Sequence, residues 1–202
     1  MQIIEQSHKI LTPINREEIY KIIELAGRTA YKSEDKITED SAGKFIASII
    51  KRGHESVVEH FNITVKFITD RGVTHEIVRH RLVAYTQEST RYCNYSKLGM
   101  QFIKPVFWNL DTTEYRVWSS HMQSCETLYN QFVNSNHSPQ EARSVLPNSL
   151  KTEIVCTANI REWRHILKLR TSEAAHPQMR ALMIPLLKEL QEKLPVLFED
   201  IK

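Results

Sequence analysis

The chain has 202 residues, 27 basic and 24 acidic, for a formal net charge of +3; 41% are hydrophobic and 25% charged. That length and usage suit one domain with a sizeable core and exclude a disordered chain. A dedicated duplex-DNA binder carries a stronger basic excess, so the mild one here points to small anionic ligands and away from nucleic acid.

Residues 1–12 predict a strand, with Ile3, Ile4, Ile10 and Leu11 apolar. This start has no positive stretch leading into an apolar one, and the apolar runs of the chain are too short to span a bilayer, so neither a signal peptide nor a membrane partner is expected. Pro13-Ile14-Asn15 offers a helix start, Asn15 being placed to cap the free amides ahead of Arg16-Glu17-Glu18. Ile19, Ile22, Ile23 and Ala26 follow at helical spacing. A second helix is predicted over Ser41–Lys51, where Phe45, Ile46, Ile49 and Ile50 repeat at three and four. Residues 54–60 read as a polar turn feeding a strand. In that strand Phe61, Ile63, Val65 and Phe67 alternate with Asn62, Thr64 and Lys66 until Asp70-Arg71-Gly72 stops it. Residues 73–83 predict a short helix, 100–106 a strand or extended link, and 112–134 a long helix with Tyr115, Trp118, Met122, Cys125, Leu128 and Tyr129 inward. Ser138-Pro139-Gln140-Glu141 starts another helix, with Pro139 at its first position and a capping box. Ile154, Val155 and the threonines favour a strand over 150–157. Helices are predicted over 162–169 and 177–194. No repeat, low-complexity tract or linker interrupts the chain. The expectation is a single domain over 1–202, α/β (α+β), helix-rich with a modest central sheet.

The five glycines, Gly27, Gly43, Gly53, Gly72 and Gly99, lie at least ten residues apart. That excludes both the GxGxxG turn and the GxxxxGK[ST] phosphate loop, so side chains must hold any nucleotide. Cys93, Cys125 and Cys156 are odd in number and form no CxxC pair, which speaks for a reducing cytoplasm and against a zinc site. His54-Glu55-Ser56-Val57-Val58-Glu59-His60 invites comparison with HExxH, but residues six apart sit about 240° round a helix and cannot share one metal. The densest stretch is 79–92, with Arg79, His80, Arg81 and Arg91 among five hydroxyl side chains. Arginine forks match phosphate and acyl oxygens. On a helix Arg79 and Arg81 would point about 200° apart and could address two anions. The residue types admit two readings at this point, a ligand-wrapping loop over 86–90 or a solvated basic turn with Glu88 paired locally to Arg91. A module stacking bases on Tyr85, Tyr92 and Tyr95 is a third, disfavoured by the charge balance. A further cluster is Asn159-Ile160-Arg161, His165, Arg170 and His176; Arg161 and His165, four apart, share a face if helical.

Arg79-His80-Arg81, seven residues, then Ser89 forms RHR(x7)S, and with it the chain resembles the flavin-dependent thymidylate synthases. Three further blocks resemble that family in order: His54-Glu55-Ser56 with Glu59-His60, Ala142-Arg143-Ser144-Val145-Leu146-Pro147, and Asn159-Ile160-Arg161 through Leu169-Arg170. Together they reach from about His54 to His176. The resemblance implies a non-Rossmann α/β homotetramer whose active sites are shared between subunits. It implies reductive methylation of dUMP to dTMP, with carbon from 5,10-methylenetetrahydrofolate and reducing equivalents from NADPH through tightly bound FAD. No enzyme nucleophile is implied.

Carried over by position, the resemblance assigns Glu76, Arg79, Gln87, Glu88, Ser89, Thr90, Arg91, Arg143 and Arg170 to dUMP. The phosphate falls to Arg91, Arg143 and the loop amides, and Arg170 lies against the uracil as the catalytic charge. Ser56, Arg79, His80, Arg81, Gln87, Asn159, Arg161 and His165 are assigned to FAD, with His54, Glu59 and His176 as site neighbours. No metal is implied. The chain departs from the family pattern at Ala84 and Thr86, where Ser and Asn are frequent, at Glu76, where Gln is frequent, and at His165, where Asn is frequent. A carboxylate at 76 would accept from the uracil or ribose, or pair with Arg79.

Overall fold

A computed structural model describes residues 1–202. The chain folds into two compact units. One comprises Met1–His8, Lys66–Arg79 and Tyr85–Val155, the other Lys9–Val65, His80–Ala84 and Cys156–Lys202.

The start of the chain forms two strands, β1 (Gln2–Ile4) and β2 (Ser7–Ile10), instead of the single one expected over 1–12. They serve different sheets. β1 pairs in parallel with β5 (Gln101–Ile103), Ile3 opposite Phe102, while β2 is the edge of a four-stranded sheet ordered β2-β3-β6-β4. Between them Gln6 Oε1 accepts from Thr69 Oγ1 at 3.0 Å. β3 (Asn62–Asp70), β4 (Ala84–Gln87) and β6 (Lys151–Asn159) complete that sheet, and β3 and β6 each run through both units. The predicted alternation holds along β3, where Ile63, Val65, Phe67 and Thr69 are buried, and β6 has the same period, with Thr152, Ile154, Cys156 and Ala158 buried.

In the first unit α3 (Arg71–Ile77) is capped by Asp70, whose Oδ1 accepts from the Val73 amide at 2.7 Å. It ends six residues before the expected limit at 83. The Ile77 carbonyl accepts from Tyr85 Oη at 2.6 Å, and the Arg79 amide closes a tighter turn onto Glu76 O. Arg79 and Arg81 therefore leave the helix, and the 200° argument does not apply to them. α4 (Tyr95–Leu98) is stopped by Gly99 at φ +80°, a conformation that costs glycine little. The long helix α5 (Thr113–Asn134) starts on a Thr112 cap and buries Met122, Cys125 and Tyr129, whereas Leu128, expected inward, is exposed. At α6 (Pro139–Ala142) the Ser138 amide and hydroxyl both donate to Glu141 Oε2, at 2.8 and 2.6 Å. Tyr95, Met100, Phe102, Met122, Tyr129, Ala142 and Leu150 form the core of this unit.

The second unit is helical. α1 (Arg16–Thr29) begins on the predicted Asn15 cap, and α2 occupies Ser41–Lys51 as expected. A 3₁₀ turn over Glu55–His60 precedes β3. α7 (Ile160–Arg170) starts on Asn159, whose Oδ1 accepts from the Glu162 amide at 2.9 Å. α8 (Pro177–Lys193) buries Leu182, Leu186 and Leu190, and α9 (Pro195–Phe198) buries Leu197 and Phe198. Gly27 lets α1 approach closely. A Cβ there would sit 2.6 Å from the Phe45 ring and 3.0 Å from Val57 Cγ1. No helix is long and apolar enough to cross a membrane.

Candidate active site

The two units divide the predicted site residues. Glu76, Arg79, Gln87, Glu88, Ser89, Thr90, Arg91 and Arg143 lie in the first; His54, Ser56, Glu59, His80, Arg81, Asn159, Arg161, His165, Arg170 and His176 lie in the second.

In the first unit the chain leaves β4 at Gln87, whose Nε2 donates to Thr74 Oγ1 at 3.0 Å and Thr152 Oγ1 at 3.2 Å. Ser89 begins a tight turn: its carbonyl accepts from the Tyr92 and Cys93 amides and its Oγ from the Arg91 amide at 3.3 Å. Thr90 is buried and accepts from Arg143 Nη1 at 3.4 Å, so one expected phosphate ligand does meet the expected loop. Arg91 is exposed, its guanidinium 5.4 Å from the centre of the Tyr92 ring. Arg79 is exposed just past α3, and Glu76 is half-buried within it. Glu88 does not pair with Arg91. Its Oε1 accepts from Tyr95 Oη at 2.7 Å and its Oε2 from Lys151 Nζ at 2.9 Å.

In the second unit the central histidine of the motif meets the C-terminal end of α7. Arg170 Nε donates to His80 Nε2 at 3.0 Å, which leaves the imidazole proton on Nδ1, 3.7 Å from Glu162 Oε1. The His165 ring stands edge-on at 5.8 Å. Burial, then the charges of Arg170 and His165, pull the His80 pKa down to about 4, so His80 is neutral at physiological pH. It therefore acts as an acceptor that orients Arg170. Arg81 is exposed beside it.

A cleft of about 770 Å³ lies in the same unit, lined by Asn159, Arg161, His165, Glu59 and Leu82 among others. Arg161 Nη1 meets Glu59 Oε1 at 2.5 Å across it, and that hydrogen bond holds the guanidinium above its ordinary pKa. His54 and Ser56 open onto a different cavity of about 490 Å³, where Arg28, Lys36 and Arg52 contribute positive charge and no carboxylate lines the wall. His176 caps α8 and is exposed.

Sequence reasoning missed Arg164. Its side chain is 1% exposed; it donates to Asp200 at 2.7 and 2.8 Å, to Glu55 at 3.1 Å and to the Leu197 carbonyl. The signal was present, because Arg164 shares the helix face of Ile160, Trp163 and Leu167, all buried.

A family model described as thymidylate synthase complementing protein matches residues 14–196. The chain belongs to that family. It is 32% identical to a flavin-dependent thymidylate synthase of Geobacter sulfurreducens, over 88% of this chain and 80% of that protein. It is 33% identical to one from Mycolicibacterium vanbaalenii, over 90% and 79%, and 31% identical to one from Pyrococcus furiosus, over 85% and 72%. The fold is shared with the UMP/dUMP methylase PolB of Streptomyces cacaoi, solved with 5-Br dUMP, at a TM-score of 0.80 and 19% identity, covering 98% of this chain and 96% of that one. The helix-rich, non-Rossmann α/β expectation agrees with this family fold.

Proposed function

We propose that this flavin-dependent thymidylate synthase family member methylates dUMP to dTMP, taking carbon from 5,10-methylenetetrahydrofolate and reducing equivalents from NADPH, and that residues 1–202 work as one domain in a cytoplasmic homotetramer. The observation that carries the reading is the Arg170–His80 hydrogen bond. It joins the arginine that the family resemblance makes catalytic to the centre of the RHR motif, ninety residues away. The Nε–His80 bond fixes the guanidinium, and in this reading its charge lies against the uracil. A fixed charge there favours the N3-ionised ring and raises the nucleophilicity of C5. Arg91, Arg143 and the amides of the Ser89 turn take the nucleotide phosphate, with Arg79, Gln87 and Glu76 around the nucleoside.

The second unit suits FAD. A cleft and a carboxylate-free basic cavity provide, respectively, acceptors for ribose hydroxyls at Glu59 and cations for a diphosphate at Arg28, Lys36 and Arg52. Ser56 and His54 line the cavity and Asn159, Arg161 and His165 the cleft, and the family resemblance adds Arg81, with His176 as a neighbour. Bound there, the flavin supplies the hydride. Cys156 takes no covalent part: burial pushes its thiol up to about 12, far from a thiolate at neutral pH.

The test is purification followed by an absorption spectrum and assay. The expected result is a flavin spectrum that bleaches on addition of NADPH and dUMP. A folded protein that stays colourless when offered FAD would overturn the assignment.

A further inference from the structure

We propose that Lys151 is a positioning residue for the nucleotide: through Glu88 it fixes the 87–91 loop, making the Glu88 carboxylate an anchor of that loop and not a ligand of the substrate. The proposal rests on reading this loop as the dUMP phosphate site and adds a residue that neither the motif nor the family resemblance assigns.

A carboxylate inside an anion-binding loop poses an electrostatic problem, since an unpaired Glu88 would repel the phosphate its neighbours are meant to hold. Here both of its oxygens are occupied, by Tyr95 Oη at 2.7 Å and Lys151 Nζ at 2.9 Å, with only 15% of the Glu88 side chain and 14% of the Lys151 side chain exposed. Lys151 also reaches Glu153 Oε1 at 2.8 Å, and Glu153 pairs in turn with Lys66. Two cations and two carboxylates thus form a chain of zero net charge. β6 makes this possible by its period of two, which puts Lys151 and Glu153 on one face of the strand.

Backbone bonds complete the attachment. The Glu88 amide donates to Glu153 O at 2.9 Å. Tyr95 carries the anchor into the core: it is buried, its ring stands edge-on to Tyr129 at 5.9 Å, and its amide donates to Tyr129 Oη. The protonation states agree. Burial and the Glu88 carboxylate push the Tyr95 phenol up, which keeps it a donor. Burial pulls Lys151 down, but its hydrogen bonds and the charges of Glu153 and Glu88 outweigh that and hold it above the ordinary lysine value.

The test uses the FAD-loaded protein and three variants. Lys151→Met is expected to speed hydrogen exchange of the amides at 88–93 and to raise KM for dUMP about tenfold, with kcat within about twofold. Lys151→Arg keeps both near the wild type. In Lys151→Met/Glu88→Gln the carboxylate leaves with its counter-ion, and KM returns to within about threefold of the wild type. That double variant decides the question even if the single one fails to fold. Unchanged exchange in Lys151→Met would overturn the proposal. So would a KM that stays high in the double variant, because Lys151 would then be touching the nucleotide itself. A wild-type protein that binds no dUMP overturns the reading of the loop as a phosphate site, while the exchange measurement still decides the Lys151–Glu88 anchor.

Discussion

Arg170 and His80 define each other's chemistry. Because His80 accepts from a guanidinium that cannot give up its charge, protonating His80 would set two cations against each other in a buried place. Replacing Arg170 with Ala should lower turnover by about 10²–10³ while leaving the fold intact, as loss of a preorganised charge does elsewhere; steady-state dTMP formation, with circular dichroism as the control for folding, checks this. A second outcome concerns pH. The folded-state pKa of His80 lies near 4, below the unfolded value of about 6.5, so between those limits the unfolded chain binds the extra proton. Stability should therefore fall as pH drops from about 6.5 to 4, and His80→Gln should flatten that part of the profile in urea denaturation. A His80→Gln profile that matches the wild type would remove His80 as the cause. Glu88 shows the limit of reading residues from sequence. A local pairing with Arg91 was one candidate, whereas the partners found, Tyr95 and Lys151, include one sixty-three residues away that no spacing rule reveals.

Periodic elements were legible and punctuation was less so. β3 followed from alternation and Ser41–Lys51 from repeats of three and four, because one face of each is buried, while β6 followed from Ile154, Val155 and the threonines. Apolar residues at Val78, Leu82 and Val83 extend the expected helix to 83, but it stops at Ile77, whose carbonyl accepts from Tyr85 Oη. Residues 1–12 read as one strand because their pattern does not say that Gln2–Ile4 and Ser7–Ile10 have different partners. Two substitutions test how elements are held. Gly27→Ala pushes a methyl against the Phe45 ring and Val57, and is expected to cost about 1–3 kcal/mol by urea titration. Arg164→Met removes the donor of Glu55, Asp200 and the Leu197 carbonyl and leaves Lys168, 4.0 and 3.8 Å from the two carboxylates, as their remaining cation. Both carboxylates are partly exposed and regain some hydration, so a loss of about 2 kcal/mol is expected, less than for a fully buried pair. A loss below about 0.5 kcal/mol in either would show that the contact carries little.

At the scale of the molecule, RHR(x7)S and the three accompanying blocks spread over most of the chain, and the structure spreads them over two compact units. One carries the loop proposed for the nucleotide, the other the cavities proposed for the flavin. Ligands that bind only the folded form stabilise it, by about 2.7 kcal/mol at a hundredfold excess over Kd, so FAD and dUMP should each raise Tm. The most direct measurement is dTMP formation by the FAD-loaded protein supplied with dUMP, 5,10-methylenetetrahydrofolate and NADPH. The expected result is dTMP formed in step with NADPH oxidised, and lost when dUMP is withheld. A folded, flavin-bound protein that makes no dTMP from the complete mixture would contradict it.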